Sequence, residues 1–441
     1  MTTELDETHR ADLLSWVESA QAPDTDFPIQ NLPVGIFRSS ARWARPGVPI
    51  GDQVLDLVAL AERGLLPDDI GSAMLACKED ASLNPLLVQG RPALRALRAA
   101  VNIVLRADTE LGARASRRSV GLLVPLASTE PLLPTRVGDY TDFYASVHHA
   151  TNVGSMFRPP PDSPLLPNYK WVPIGYHGRA SSLVPSGSAV RRPNGQTKEE
   201  SADAPTVGPS RRLDYELEVG AVVATGNALG HPIALGAAES HLAGLCLVND
   251  WSARDIQAWE YQPLGPFLAK NFATTVSPWI VTLDALAPFR AAAFARPHGD
   301  PAPLPYLHDA ENERAGGFDI TLEVRIASER MRAERVEPMR VSLGSFTSMY
   351  WTVAQLLAHH TSNGCRMRTG DLFASGTVSG ATKESRGCML ERTWRGTEPL
   401  ALPTGETRRF LEDGDEIIMR GWCEREGFRR IGFGECRGMV V

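Results

Sequence analysis

Two hydrophobic patterns divide the chain into a small mixed front part, which contains a helical run, and a strand-rich remainder. Near residue 92 the pattern has the helical period, and its apolar positions are Leu94, Leu97, Val101, Val104 and Leu105. A proline-rich connector follows at residues 131–134. We therefore predict a structural domain over residues 1–130 and a second domain over residues 131–441.

After the connector, short runs of β-branched and aromatic residues alternate with Gly/Pro turns almost to the last residue. The predicted strands cover residues 171–174, 213–223, 245–248, 279–283, 318–326, 371–377, 416–422 and 431–441. One late helix interrupts them, with a face formed by Tyr350, Val353, Leu356, Leu357 and His360. The pattern predicts a mainly β second domain in an α+β chain.

An apolar run at residues 242–248 leads into a stretch of polar side chains that Pro263 ends. We predict a buried strand there, followed by a short helix N-capped by Asp250. One stripe of this helix carries Arg254, Gln257 and Tyr261. A capped surface helix is the alternative, but two tryptophans in the stretch favour enclosure. Enclosed polar groups need partners, and a metal with an anionic ligand would supply them.

Four carboxylates are candidates for a metal site. Period-two alternation places Glu216 and Glu218 on one face of a strand, where like charges repel unless water or a cation intervenes. A solvated sheet face is the alternative. Asp142 and Asp250 supply two more carboxylates. Because all of these ligands are oxygens, the set fits Mg²⁺ or Ca²⁺ better than zinc.

A histidine doublet follows Asp142 by a few residues. Either His148 or His149 could serve as a general base if a carboxylate orients its ring, although a structural histidine is the alternative. Glu391 is one candidate for the orienting carboxylate, and we place it on a late strand. The doublet alone leaves the choice of histidine open.

Three side chains near Asp250 in the sequence can donate hydrogen bonds to an anion: Arg254, Gln257 and Lys270. Preorganised donors of this kind stabilise a developing oxyanion. The sequence has no glycine-rich phosphate loop with a Gly-Lys-Ser/Thr ending, so the donors favour an organic anion over a nucleotide.

Composition narrows the class of partner. The 441 residues carry a formal net charge of -7, which argues against a nucleic-acid surface. No run reaches the roughly 20 apolar residues of a membrane span. Residues 1–7 are acidic where a signal peptide would be basic. We expect a cytoplasmic protein without nucleic-acid or membrane partners.

Together these segments resemble the fumarylacetoacetase family. The similarity rests on residues 138–144, 149–154, 175–182, 211–218, 249–270, 375–380 and 432–434. It implies a homodimer whose subunits have a small SH3-like N-terminal barrel and a larger C-terminal β-roll. It also implies hydrolysis of a carbon-carbon bond in a diketo diacid, 4-fumarylacetoacetate, to fumarate and acetoacetate, the last step of tyrosine and phenylalanine catabolism.

The resemblance also assigns roles by motif position. The metal ligands would be Asp142, Glu216, Glu218 and Asp250, with Lys270 and Thr274 beside the metal. His149 would be the base, since it directly precedes Ala-Thr-Asn, and Glu391 its partner. The oxyanion site would contain Arg254, Gln257 and Lys270. The substrate would contact Tyr144, Arg158, Gln257, Tyr261 and Thr377.

Two departures from the family pattern, His148 before the base and three prolines at residues 159–161, bear on substrate selectivity. The acidic cluster alone would also serve a related acylpyruvate hydrolase, a 2-oxo acid decarboxylase or an isomerase. The pair of His149 and Glu391 favours hydrolysis, because only hydrolysis needs activated water. A non-enzymatic, calcium-stabilised dimer would leave the three donors without an anion.

Overall fold

The computed structural model describes residues 5–40, 42–158 and 160–441. The strands of its front part are β1 (Val34–Ser39), β2 (Arg42–Ile50), β3 (Gln53–Asp56), β4 (Leu123–Pro125) and β5 (Thr129–Pro131). The helices there are α1 (Leu57–Glu62), α2 (Asp68–Asp80), α3 (Asn84–Leu87), α4 (Arg91–Leu105) and α5 (Glu110–Arg117). The predicted helix near residue 92 is therefore confirmed as α4.

The remainder is rich in strands, as predicted. These are β6 (Tyr140–Phe143), β7 (Gly175–Gly178), β8 (Leu183–Pro185), β9 (Ala189–Val190), β10 (Asn194–Thr197), β11 (Thr206–Pro209), β12 (Leu213–Asp214), β13 (Leu217–Val223), β14 (Leu242–Asp250), β15 (Ser252–Ala253), β16 (Thr274–Val276), β17 (Trp279–Thr282), β18 (Arg290–Ala291), β19 (Gly317–Phe318), β20 (Thr321–Ala327), β21 (Met339–Ser345), β22 (Leu372–Ala374), β23 (Leu400–Ala401), β24 (Thr407–Arg408), β25 (Glu416–Cys423) and β26 (Ile431–Val440).

The helices of this part are α6 (Val147–Phe157), α7 (Leu235–Ala238), α8 (Arg254–Glu260), α9 (Ala310–Ala315), α10 (Glu329–Ala333), α11 (Val353–Thr361) and α12 (Met389–Arg392). The predicted late helix is α11. The predicted strand at residues 171–174 is wrong, because β7 begins only at Gly175. In the part of the chain that the structure describes, no helix is both long and apolar enough to cross a membrane.

One large sheet joins the front part to the remainder, in the strand order β4-β3-β2-β1-β17-β14-β13-β22-β6-β7. The junction is the antiparallel pair of β1 and β17, with Val34 opposite Ile280 and Gly35 opposite Trp279. Glycine is required at position 35, because a Cβ atom there would lie 2.1 Å from the carbonyl oxygen of Pro278. A second sheet has the order β21-β20-β25-β26-β9.

The large sheet separates two hydrophobic cores. Alternate residues of β13, such as Leu217 and Val219, face the core shared with the second sheet. Val222 on β13 and Val248 on β14 face the other core, which also contains Leu97 of α4. The strands between the cores are buried on both faces, and polar side chains at their ends are therefore enclosed as well.

The strand-rich α+β fold agrees with the sequence analysis. One local detail does not: Asp250 is the last residue of β14, not the N-cap of a helix. Strand β15 intervenes between Asp250 and α8, and Ala253, which directly precedes the helix, has no polar side-chain atom with which to cap it. The SH3-like form of the front part and the boundary at residue 130 stay predictions.

Candidate active site

Neighbouring strands bring the four predicted carboxylates together. Asp142 lies on β6, Glu218 on β13 and Asp250 at the end of β14, while Glu216 directly precedes β13. The sheet order β14-β13-β22-β6 places these strands side by side. One oxygen from each carboxylate lies within 4.8 Å of the others, and all four side chains are buried.

Two of these carboxylates have buried oxygens that lack a hydrogen-bond partner within the described chain. Oδ1 of Asp142 and both side-chain oxygens of Glu218 lack a hydrogen bond within the described chain. Burial, followed by repulsion from Asp142 and Asp250, raises the pKa of Glu218 well above its ordinary value. Buried carboxylate oxygens without donors are costly, and a hard divalent cation is the partner that prefers them. The donor set therefore fits a metal.

The other two carboxylates are bound to a buried lysine. Nζ of Lys270 lies 2.8 Å from Oε2 of Glu216 and 2.7 Å from Oδ2 of Asp250. Thr274 stands opposite Asp250 on β16 and donates to its Oδ1 at 2.5 Å. Burial opposes ionisation of Glu216, but Arg254 and Lys270 outweigh it and hold its pKa well below the ordinary value. Hydrogen bonds and ion pairs therefore fix both of these carboxylates in place.

Arg254 is the first residue of α8 and reaches two carboxylates. Its Nε donates to Oδ2 of Asp214 at 2.8 Å, and its Nη1 lies 2.6 Å from Oε1 of Glu216. Nη1 also donates to Oε1 of Gln257, one turn along α8, at 3.2 Å. Nη2 is buried and has no partner among the described residues. The guanidinium is therefore held rigidly with one N–H pair available to an anion.

His149 and Glu391 form the predicted pair. His149 lies in the first turn of α6, whose N-cap Ser146 accepts its backbone N–H. Nδ1 of His149 lies 2.6 Å from Oε2 of Glu391, and both residues are buried. Because an ionised carboxylate can only accept, Nδ1 donates this bond, and Nε2 is the ring nitrogen that can take up a proton. That arrangement suits a general base.

Glu391 is held by further donors. Asn152 donates to its Oε1 at 2.7 Å and Ser379 to its Oε2 at 2.7 Å. Burial alone would raise the pKa of Glu391, but the charge and hydrogen bond of His149 outweigh it and lower this pKa to about 2. The expected strand position of Glu391 is wrong, since it lies on α12. A carboxylate that remains ionised fixes the ring of His149.

The structure separates the two histidines of the doublet. Whereas His149 faces Glu391, the half-buried His148 packs edge-on against Phe294 at a ring distance of 6.2 Å. It lines a cavity of about 250 Å³ together with Lys170 and Tyr350. Among the residues described, no hydrogen bond joins His148 to the carboxylates or to His149.

The predicted substrate contacts are only partly gathered at the site. The ring of Tyr144 lies 5.2 Å from that of His149, and Oγ1 of Thr377 is buried without a partner within the described ranges. Arg158 follows α6 and donates to the carbonyl of Pro164 at 2.5 Å. Tyr261 is 44% exposed. No hydrogen bond joins Arg158 or Tyr261 to the carboxylates in the described chain.

Of the three consecutive prolines after Arg158, Pro159 lies outside the described residues.

Several residues of the site were missed by the sequence analysis. Tyr176 of β7 donates to Oδ2 of Asp250 at 3.1 Å, and Asn152, Ser379 and Asp214 make the contacts described above. One signal could have found Asp214, because it has the same strand parity as Glu216 and Glu218. The others depend on contacts between distant segments, which local patterns do not record.

Comparison with known proteins matches both parts of the chain. Residues 30–134 match the family model described as fumarylacetoacetase N-terminal, and residues 139–441 match the model described as fumarylacetoacetate (FAA) hydrolase C-terminal.

Curated relatives match the chain over nearly its whole length. The fumarylacetoacetase of Oryza sativa subsp. japonica is 49% identical over 439 residues, which are 99% of this chain and 99% of the rice protein. The fumarylacetoacetase of Arabidopsis thaliana is 47% identical, with 95% and 96% of the two chains covered. The human fumarylacetoacetase is 46% identical, with 95% and 97% covered. The chain therefore belongs to the fumarylacetoacetase family.

Proposed function

We propose that this protein hydrolyses 4-fumarylacetoacetate to fumarate and acetoacetate with the help of a divalent cation. The observation that carries the proposal is that the pair of His149 and Glu391 lies beside the acidic cluster. The backbone of Glu216 forms a β-bridge with Cys388, the residue before α12, and α12 carries Glu391. One backbone contact thus joins a metal ligand to the orienting carboxylate of His149.

The cation would be Mg²⁺ or Ca²⁺, held by Asp142, Glu216, Glu218 and Asp250. Its support is the all-oxygen donor set and the three buried oxygens that lack a donor within the described chain. When bound, such a cation supplies Lewis-acid chemistry that withdraws electron density from the oxygens of a β-diketone. Lys270 and Thr274 keep Asp250 in place for this role.

Water activation belongs to His149. Nε2 removes a proton from water as the water oxygen attacks the carbonyl carbon next to the bond that breaks. Ionised Glu391 stabilises the imidazolium that results, through the Nδ1–H bond. The imidazolium then returns its proton to the departing carbon, so that acetoacetate leaves with a new C–H bond.

The attacked carbonyl oxygen becomes negative before the carbon-carbon bond breaks. Nη2 of Arg254 is a buried donor without a partner among the described residues and suits this oxyanion. Gln257 supports the same guanidinium. Lys270 is bound to Glu216 and Asp250, so it contributes positive charge to the site more than a free N–H.

Tyr144 and Thr377 are proposed as the first substrate contacts. Arg158 and Tyr261 would contact the substrate only after it binds. A substrate carboxylate would then replace the carbonyl of Pro164 as the acceptor for Arg158, and Tyr261 would lose its exposure to solvent. Arginine suits this role because its planar fork matches a carboxylate. We also propose a cytoplasmic homodimer, as the family resemblance implies; size-exclusion chromatography with light scattering tests the dimer.

The function is tested by following the ultraviolet absorbance of fumarylacetoacetate with Mg²⁺ present and identifying the products. We expect fumarate and acetoacetate in equal amounts, and loss of turnover after chelation or in His149→Ala. The matched control is His148→Ala, whose side chain packs against Phe294 instead. Decarboxylation products, or no cleavage by folded, metal-loaded protein, would contradict the proposal.

A further inference from the structure

Asp214 is a buried carboxylate with no predicted role that binds several parts of the site at once. Its Oδ2 accepts Nε of Arg254 at 2.8 Å and the backbone N–H of Leu390 at 3.0 Å. Its Oδ1 accepts the N–H of Met389 at 2.7 Å and of its own neighbour Tyr215 at 2.9 Å. The side chain is fully buried, and both of its oxygens are used.

Asp214 substitutes for a missing helix cap. The first N–H groups of a helix have no partner within the helix and need one when they are buried. Cys388 precedes α12 and makes no side-chain capping bond. Met389 and Leu390 are the first two residues of α12, and Asp214 accepts both of their N–H groups. The next residue of this helix is Glu391, which orients His149.

The same carboxylate also fixes Arg254 from the opposite side. Strand β12, which ends at Asp214, pairs with β15 directly before Arg254, with Asp214 opposite Ser252. The Nε bond to Asp214 and the Nη1 contact with Glu216 set the plane of the guanidinium. The side chain of Asp214 thereby fixes the position of the His149–Glu391 pair relative to Arg254, the proposed oxyanion donor.

We propose that Asp214 is a positioning residue for the reaction, acting through Glu391 and Arg254 without touching the substrate. This inference rests on the proposed hydrolysis and deepens it. Asparagine at position 214 keeps the size of the side chain, but its Nδ2 cannot accept from Leu390 or Arg254. The opposite orientation of the amide would place Nδ2 against the N–H groups of Met389 and Tyr215 instead. In either orientation Asp214→Asn leaves one N–H of α12 without its acceptor and removes the carboxylate charge that faces Arg254.

The expected effect is on turnover. Because groups that orient a catalytic residue typically contribute ~10- to 100-fold, we expect kcat of Asp214→Asn to fall by that factor and KM to change less than about threefold. The matched control is Asp415→Asn. Asp415 is equally buried and accepts Nε of Arg408 at 2.8 Å and the N–H of Glu412 at 2.8 Å, but it contacts neither Glu391 nor Arg254. Its kcat should stay near the wild-type value.

A double-mutant cycle distinguishes positioning from general destabilisation. In a Glu391→Gln background the interaction between residue 391 and His149 is already impaired. Asp214→Asn should therefore lower kcat by a much smaller factor there than in the wild type. Asp415→Asn should cost the same in both backgrounds. Additive effects of Asp214→Asn and Glu391→Gln would overturn the proposal.

Stability is controlled with thermal midpoints. Cys388→Ser gives α12 a local N-cap residue, but Sγ of Cys388 also donates to Oε2 of Glu391 at 3.2 Å, so kcat of the Cys388→Ser single variant is the reference for the rescue. In the Asp214→Asn background, Cys388→Ser should restore part of the lost kcat. If Asp214→Asn fails to fold in either background while Asp415→Asn folds, the role of Asp214 is purely structural and the proposal fails. Absence of cleavage by the wild type would instead reject the proposed function, so the two failures are distinguishable.

Discussion

Glu218 and Glu391 are the same residue type, and both are fully buried, yet their surroundings are opposite. Glu391 accepts from His149, Asn152 and Ser379, whereas neither side-chain oxygen of Glu218 has a partner in the described chain. Burial opposes ionisation of both. The donors around Glu391 reverse that effect and lower its pKa to about 2, while repulsion from nearby carboxylates raises the pKa of Glu218 further.

The comparison shows that the partners of a buried carboxylate decide its charge, not the burial itself. Glu391 finds all of these donors within the protein and is therefore a fixed anion. Glu218 lacks such partners among the described residues, and we expect its ionised form to become favourable only when a cation binds beside it. The two halves of the site should therefore respond differently to metal, to substitution and to pH.

The largest expected effect on turnover is that of removing the metal or one of its proposed ligands. Chelation, or Glu218→Gln, should lower turnover by roughly 10³-fold, because a Lewis acid contributes several kcal/mol to such a reaction. In metal-free protein, however, Glu218→Gln should raise the thermal midpoint, since it replaces a buried carboxyl group, whose ionisation the neighbouring carboxylates oppose, with an amide that can donate to them. Calorimetry with EDTA and with Mg²⁺ measures both effects.

The control is Glu323→Gln, which removes a buried glutamate that is paired with Arg325 in the second sheet. It should keep its activity and lose stability. A metal-free Glu218→Gln protein that is less stable than wild type would contradict the view that Glu218 lacks a partner.

A smaller loss of kcat is expected when Glu391, which has its hydrogen-bond partners within the protein, is replaced. Glu391→Gln should reduce kcat by about 10- to 100-fold, because the amide orients and stabilises the His149 ring less well than a carboxylate. Its affinity for Mg²⁺, measured by titration calorimetry, should match that of the wild type. A parallel loss of metal affinity would show that the two halves are not independent.

The pH dependence of stability should also distinguish Glu391. Its pKa is about 2 in the folded protein against an ordinary value of 4.5. A depressed pKa contributes stability that is present above pH 4.5 and is lost as pH falls toward about 2. The difference in unfolding free energy between wild type and Glu391→Gln should therefore shrink over that range, as measured by denaturant titration. A constant difference would contradict the depressed pKa.

The smallest effect is expected for His148. Burial lowers its pKa against the attraction of Glu391, so the ring is neutral at neutral pH. Because His148 packs against Phe294 and does not touch Glu391, His148→Gln should change kcat by less than about threefold, whereas loss of a general base costs ~10²- to 10⁴-fold in His149→Gln. Comparable losses in both variants would remove the distinction between the histidines.

The sequence was sufficient for the residues whose roles depend on local pattern or on the family motifs. The shared parity of Glu216 and Glu218 predicted their common face, and the motif after His149 identified the base. Both carboxylates lie in the cluster, and His149 binds Glu391. The assignment of catalytic roles to them stays a prediction that the variants above test.

The errors arose where distant segments pair. Strand β15 has only two residues and exists because it pairs with β12, so local periodicity extended the helix back to Asp250. Glu391 was placed on a strand because α12 is a four-residue helix, too short to show a helical period. Its missing cap is supplied by Asp214, far away in the sequence.

The pairing of β1 with β17 makes the front part a structural support of the candidate active site. Strand β17 pairs with β14, and β14 ends at Asp250. Expression of residues 131–441 alone would leave an unprotected edge at β17 and uncover apolar residues such as Val248. Such edges template aggregation, so residues 131–441 expressed alone should be insoluble unless another strand replaces β1. Gene fragments for engineering should therefore retain residues 34–39.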